Sequence, residues 1–193
     1  SSYLGIVISG STTSYTSGAS NVSDILIENN TIVGGYYVVT ARGSGADDTV
    51  TGLQIINNEL LEGHYGGLYV YHNSDPVIRQ NLIDLRIGGS TSSRGAYLYY
   101  IHDGMEFSYN TIINPAQYGI YGLYWNGTET TPNWVYNNQF GGGFSNTGSL
   151  VRGIYLGSST SYVNLYYNSF YMDSGTSAAF YATTGLSELR SVN

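Results

Sequence analysis

Asp47 and Asp48 stand together in a Gly-Ala-Asp-Asp stretch, and Asp75, Asp84 and Asp103 follow, with Arg79 and Arg86 nearby. Carboxylates brought together can ligate Ca²⁺, a hard cation that takes oxygen donors. An arginine beside them can take a proton from the carbon next to a sugar carboxylate. Two carboxylates flanking a glycosidic bond can protonate the leaving oxygen and activate water. The same residue types also suit ordinary solvated turns, and on that reading the chain carries no catalytic residue. Asp47, Asp48, Asp75 and Arg79 form the catalytic set of the alternative, a polysaccharide lyase or glycoside hydrolase, with Ca²⁺ as the cofactor of a lyase. His64, His72 and His102 do not fall at metal-ligand spacing, and the chain has no cysteine, so no metal site is expected. Serine is frequent, but no Gly-x-Ser-x-Gly elbow is present.

Such residues act only if the fold brings them together, and the elements are legible from a repeat. Ile27-Glu-Asn-Asn-Thr-Ile32 recurs as IINNEL, IRQNLI, FSYNTI, VYNNQF and LYYNSF. The shared asparagines are Asn30, Asn58, Asn81, Asn110, Asn138 and Asn168. An apolar residue lies three positions before each (Ile27, Ile55, Ile78, Phe107, Val135, Leu165) and two after each (Ile32, Leu60, Ile83, Ile112, Phe140, Phe170). A second cassette, Gly-apolar-Tyr-apolar, interleaves with the first as GYYV, GLYV, GAYL, GIYG and GIYL, with the variants GIVI and AFYA. Gly/Ser/Thr-rich loops of variable length separate the two.

Alternation with period two inside each cassette predicts short strands with opposite faces. Cassettes returning every two to three dozen residues predict a coil, each strand pairing with its equivalent in the next turn. The expected fold is all-β, a parallel β-solenoid of about seven coils over 1–193, one domain of a longer solenoid. An antiparallel sandwich would give no reason for the same residue types to return to the same slots. In the second cassette the Tyr slot alternates with inward positions. Tyr37, Tyr69, Tyr97, Tyr121, Tyr155 and Tyr181 are therefore expected to form one outward row, either stacking to stiffen the sheet or docking a ligand such as a sugar ring. His72 and His102 are expected in equivalent slots of adjacent coils.

Composition narrows the partners. Only 10% of residues are charged, lysine is absent, and the net charge is −7. Nucleic acids and anionic membrane surfaces need clustered cations, so neither is an expected partner. No apolar run is long enough to span a membrane.

The Asn motif with apolar residues at −3 and +2 resembles the right-handed parallel β-helix repeat of the pectate-lyase-like superfamily. The resemblance implies that Asn30, Asn58, Asn81, Asn110, Asn138 and Asn168 occupy a tight turn and hydrogen-bond to one another as a ladder. The scaffold itself carries lyases, hydrolases, adhesins and inert stalks, so it does not choose among them. Gly45–Asp48 and Gly63-His64-Tyr65 resemble the polygalacturonase Gly-Asp-Asp and Gly-His-Gly motifs. However, no Asn-Thr-Asp precedes them, Tyr65 replaces a glycine, and Arg86-Ile87-Gly88 lacks the final lysine. Residues 153–185 are similar to repeat segments of large secreted surface proteins of Bacteroidota exported by type IX secretion. Together these features imply a non-catalytic secreted or bacterial cell-surface module, acting as rigid spacer, adhesion or assembly element. Its expected partners are adjacent coils of the parent chain, neighbouring copies, and, where the Tyr row docks a ligand, polysaccharide.

Overall fold

The computed structural model describes residues 5–11, 13–87, 89–144, 150–172, 177–183 and 187–192, with only the backbone of residues 191 and 192. Three faces wind around one core. The long face comprises Ile6–Ile8, Tyr37–Arg42, Gly66–Ser74, Arg94–His102, Tyr118–Asn126, Val151–Gly157 and Ser177–Ala182. The middle face comprises Leu26–Glu28, Gln54–Ile56, Val77–Arg79, Met105–Ser108, Asn133–Tyr136, Ser161–Tyr166 and Ser187–Val192. The corner face comprises Thr31–Val33, Glu59–Gly63, Leu82–Leu85, Thr111–Ile113, Gln139–Gly141 and Ser169–Phe170. The strands of each face pair in parallel with those of the coils before and after. Six coils are complete and a seventh lacks its corner rung among the described residues, so the expected count of about seven becomes six and a part.

Translation by one rung explains why the sequence repeats. A parallel pair in register places each side chain over its image, so the core is a set of columns of like residues. Ile27, Ile55, Ile78, Phe107, Val135 and Leu165 form one buried column. Leu60, Ile83, Ile112 and Phe140 form a second, with partly buried Ile32 and Phe170 at its ends. Full burial of such a side chain contributes about 1.5–3 kcal/mol. The glycine that opens the second cassette belongs to the same packing. At Gly67, Gly95, Gly119 and Gly153 an added Cβ would overlap Ile83, Ile112, Phe140 and Phe170 respectively. The first cassette's corner residue thus fills the space left by the second cassette's glycine. The departure at Gly122 has the same origin: the buried Trp125 indole lies where a Cβ would stand, and its Nε1–H donates to the Leu98 carbonyl at 2.9 Å.

The asparagine ladder is present along all six coils. Each Asn Oδ1 from Asn58 to Asn168 accepts the backbone N–H of the asparagine one coil earlier, at 2.9–3.1 Å. Each Nδ2 from Asn30 to Asn138 donates to the next Oδ1, at 2.9–3.2 Å. Asn58, Asn81, Asn110 and Asn138 are buried. The tight bend falls on the preceding residue: Asn29, Asn57, Gln80, Tyr109, Asn137 and Tyr167 all have φ of 52–59°. A left-handed residue turns the chain between the middle and corner faces, and the ladder satisfies the polar groups the turn would leave buried.

Candidate functional site

The long face carries the densest chemistry. Its strands hold eleven of the 21 tyrosines and contain no Asp or Glu. They do contain Arg42, Arg94 and Arg152, half of the chain's arginines. Inward positions such as Leu68, Val70, Ala96, Leu98, Ile154 and Leu156 are buried in the core, and the tyrosines alternate with them and point outward.

The register corrects one member of the row. Tyr69, Tyr97, Tyr121, Tyr155 and Tyr181 stand in one column, as expected. In the coil before Tyr69 that slot holds Thr40, and Tyr37 pairs instead with Gly66. The Tyr-Tyr-Val of residues 36–38 mimics the cassette, but Val38 occupies the glycine slot and the strand runs three residues later. Tyr37 still joins the stack, because its ring lies over Gly66 where a Cβ would sit. Ring centroids along Tyr37, Tyr69, Tyr97, Tyr121, Tyr155 and Tyr181 are 5.0, 5.3, 5.2, 4.8 and 5.7 Å apart. Exposure rises along the row, from 3% at Tyr37 and 8% at Tyr69 to 40% at Tyr181. The first members are covered from outside: Tyr15 lies 6.1 Å from both rings and Tyr65 packs edge-on against Tyr37. Desolvation pushes the Tyr69 hydroxyl up to about 12 and raises Tyr37, Tyr97 and Tyr121 as well, while the arginines partly oppose the shift.

The arginines are set into this aromatic surface. Arg42 lies 4.0 Å over the Tyr71 ring and donates to the Tyr69 hydroxyl at 2.8 Å. Arg152 sits 4.2 Å from the Tyr181 ring. Arg94 lies within 4.6–5.8 Å of four rings, those of Tyr121, Tyr97, Tyr65 and Tyr118. The Nε of all three is buried without a hydrogen-bond partner. Among the described residues the ion pair present is Arg86–Glu62, on the exposed surface elsewhere, so none of the three faces a carboxylate. Sequence patterning missed them because they fall outside the cassette. The signal was there, in the contrast between acid-free long-face strands and a chain with 13 acidic residues.

The candidate catalytic residues are dispersed into turn roles. Asp48 accepts the Asn21 N–H at 3.0 Å, and hydrogen bonds from Ser20 and Asn21 lower its pKa. Its neighbour Asp47 is exposed in the same loop. Asp75 accepts the Gly52 N–H at 3.1 Å, and Asp103 accepts from Ser74. Asp24, Gly52, Asp75 and Asp103 all have positive φ at the bend between the long and middle faces, so Asp75 and Asp103 do occupy successive coils. Arg79 is exposed on the middle face and His64 is exposed beside Tyr36. No group of three or more His, Cys, Asp or Glu able to hold a metal occurs among the described residues.

His72 and His102 do not share a slot. His72 lies between Tyr71 and Asn73, opposite Tyr100, and stacks on that ring at 4.5 Å, whereas His102 pairs with Ser74 and Asn126. They are neighbours nonetheless, with His72 Nδ1 3.3 Å from His102 Nε2. Burial, the facing imidazole of His102 and Arg42 push His72 down to about 4, and burial lowers His102 while Asp103 opposes it.

A family model described as a right handed beta helix region matches residues 1–170. No curated protein and no solved structure matches the chain.

Proposed function

The chain belongs to the right-handed β-helix family, and from that premise we propose that it is a non-catalytic module of a secreted or bacterial cell-surface protein, a rigid spacer whose long face docks acidic polysaccharide. The observation that carries this reading is Arg94. Its guanidinium is held among four tyrosine rings with no carboxylate partner among the described residues, on an acid-free face of a chain with net charge −7. A guanidinium fixed in this way offers paired N–H donors to a sugar carboxylate, and the surrounding rings offer flat faces to pyranose rings. Arg152, two rungs further on, is buried and donates Nη1 to the Leu150 carbonyl at 3.3 Å, so the contact centres on Arg94, which is only partly covered. Tyr97, Tyr121, Tyr155 and Tyr181 form the accessible part of the row, and Tyr37 and Tyr69 brace its covered end. A further coil or a second copy would stack on the rungs Ser177–Ala182 and Ser187–Val192.

The test is binding to polygalacturonate and to a neutral glucan. Binding to the acidic polymer is expected to weaken about tenfold in Arg94→Gln and to fall with salt, because exposed charges are screened. Tyr97→Ala and Tyr121→Ala should also weaken it without loss of fold. Equal binding to both polymers would sink the docking reading. Turnover that disappears in Asp48→Asn or Asp75→Asn would replace it with the enzyme.

A further inference from the structure

The middle face, whose strands directly follow those of the long face in chain order, has its own aromatic surface. One outward column carries Glu106, Trp134 and Asn164 on successive rungs, and the next carries Ser108, Tyr136 and Tyr166. Tyr136 leans back along the stack: its ring meets Tyr109 edge-on at 5.6 Å, and its hydroxyl donates to Glu106 Oε1 at 2.8 Å. Tyr166 leans sideways, stacking on Trp134 at 5.8 Å and donating to Asn164 Oδ1 at 3.4 Å. The two register neighbours therefore part. A groove of about 450 Å³ opens there, lined by Glu106, Trp134, Tyr136, Asn137, Tyr166 and Tyr167.

Two features separate this groove from ordinary sheet surface. Three of the six ladder corners place Asn in the left-handed bend, which Asn adopts at small cost, but here the bends on either side of Asn137 are made by Tyr109 and Tyr167. Both rings stand in solvent, and Trp134 is 40% exposed. The second feature is Glu106. Its Oε1 accepts from both Ser108 Oγ, at 2.6 Å, and Tyr136, so the carboxylate is held in place. No cation pairs with it among the described residues.

Aromatic faces present negative potential, and a fixed carboxylate adds a full negative charge. The complementary ligand is a cation whose surface is apolar. A lysine-type ammonium or a sodium ion is compact and strongly hydrated, and would need several oxygen acceptors to replace its water, which the ring faces do not supply. A neutral sugar could stack on Trp134, but it would cover the Glu106 charge without neutralising it. We propose that this groove binds a quaternary ammonium ion of the trimethylammonium type, with Trp134, Tyr136, Tyr166 and Tyr167 against its methyl groups and Glu106 opposite its charge. The site is separate from the long face and does not depend on polysaccharide docking.

The chain has two tryptophans, and Trp125 is fully buried, so emission changes on adding a ligand report Trp134. Titration with tetramethylammonium chloride is expected to give a saturable change that sodium chloride at equal ionic strength does not. Glu106→Gln should weaken binding about tenfold while leaving thermal melting unchanged. Trp134→Phe should lose the optical signal yet still bind by calorimetry, since an aromatic face remains. Tyr97→Ala, on the other face, should bind as the parent does. The proposal is overturned if no response exceeds that to sodium chloride, if Glu106→Gln binds equally well, or if a neutral glucose oligosaccharide competes for Trp134 more tightly than the ammonium ion.

Discussion

Replacing Asn110 by alanine probes the ladder where it is fully buried. Asn110 Oδ1 accepts two donors from the coil before, the Asn81 backbone N–H and Asn81 Nδ2, both at 3.0 Å. Its Nδ2 donates to the Ile78 carbonyl at 2.9 Å and to Asn138 Oδ1 at 3.2 Å. Alanine leaves the Asn81 backbone N–H without this acceptor in a dry interior, whereas Asn81 Nδ2 keeps the Ile55 and Arg79 carbonyls at 2.9 and 3.0 Å. An orphaned buried donor costs about 1–3 kcal/mol, so the substitution costs about 2 kcal/mol. That is a sizeable fraction of the roughly 5–15 kcal/mol typical of a domain, and well within what unfolding measures. The ladder also has a direction, because every Oδ1 receives from the coil before it. Asn30, at the start, has only donor contacts: to Glu28 at 2.8 Å and to Asn58. Asn58 Oδ1 keeps the Asn30 backbone N–H when the Asn30 side chain is removed, so Asn30→Ala orphans no buried donor and should cost about 1 kcal/mol or less. Asn168→Ala should fall between, since it orphans the Asn138 backbone N–H at a partly exposed end. Urea unfolding followed by far-ultraviolet circular dichroism gives the three values. If Asn30→Ala costs as much as Asn110→Ala, the energy does not come from buried donors and the reasoning fails.

Stability should fall as the medium is acidified through the range set by the histidine pair. An unfolded histidine titrates near 6.5, and His72 in the fold near 4, so between these values the unfolded chain binds the proton that the native chain refuses. Unfolding free energy therefore drops from about pH 6.5 to about pH 4. The shift alone would give about 3 kcal/mol, and the partly exposed ring reduces this to about 1–2 kcal/mol. The same urea series in His72→Asn, which keeps a residue suited to the positive φ of 50°, should lose part of that slope; an unchanged slope refutes the assignment. Thr40→Val should stabilise the fold by about 1 kcal/mol, since the Thr40 hydroxyl is fully buried without a partner and valine has the same shape. A lower urea midpoint in that variant would mean the hydroxyl has a partner in solution.

The parts of the molecule that the sequence discloses are those bound by translation. Asn58 must meet another Asn in the next coil, and Ile78 must meet Ile55 and Phe107, so these slots repeat and can be read without coordinates. Tyr37 failed by the same logic. Its local pattern imitates the cassette, and only pairing shows that Val39 aligns with Leu68 and Tyr37 with Gly66. The groove around Trp134 was within reach. Positions −4 and −2 of the asparagine motif alternate with buried −5 and −3, so Glu106, Trp134, Tyr136 and Tyr166 had to face outward.

The sequence by itself determined a stack of parallel strands, its period, its core columns and its ladder, because each is a demand that every coil makes on the next. The tertiary structure decided which side chains meet across unequal neighbours. It placed Arg94 among rings contributed by three coils, brought His72 against His102 from different slots, and parted Tyr136 from Tyr166. Those contacts depend on rotamers and on the lengths of the loops between cassettes. Neither is repeated from coil to coil, so no periodicity announces them.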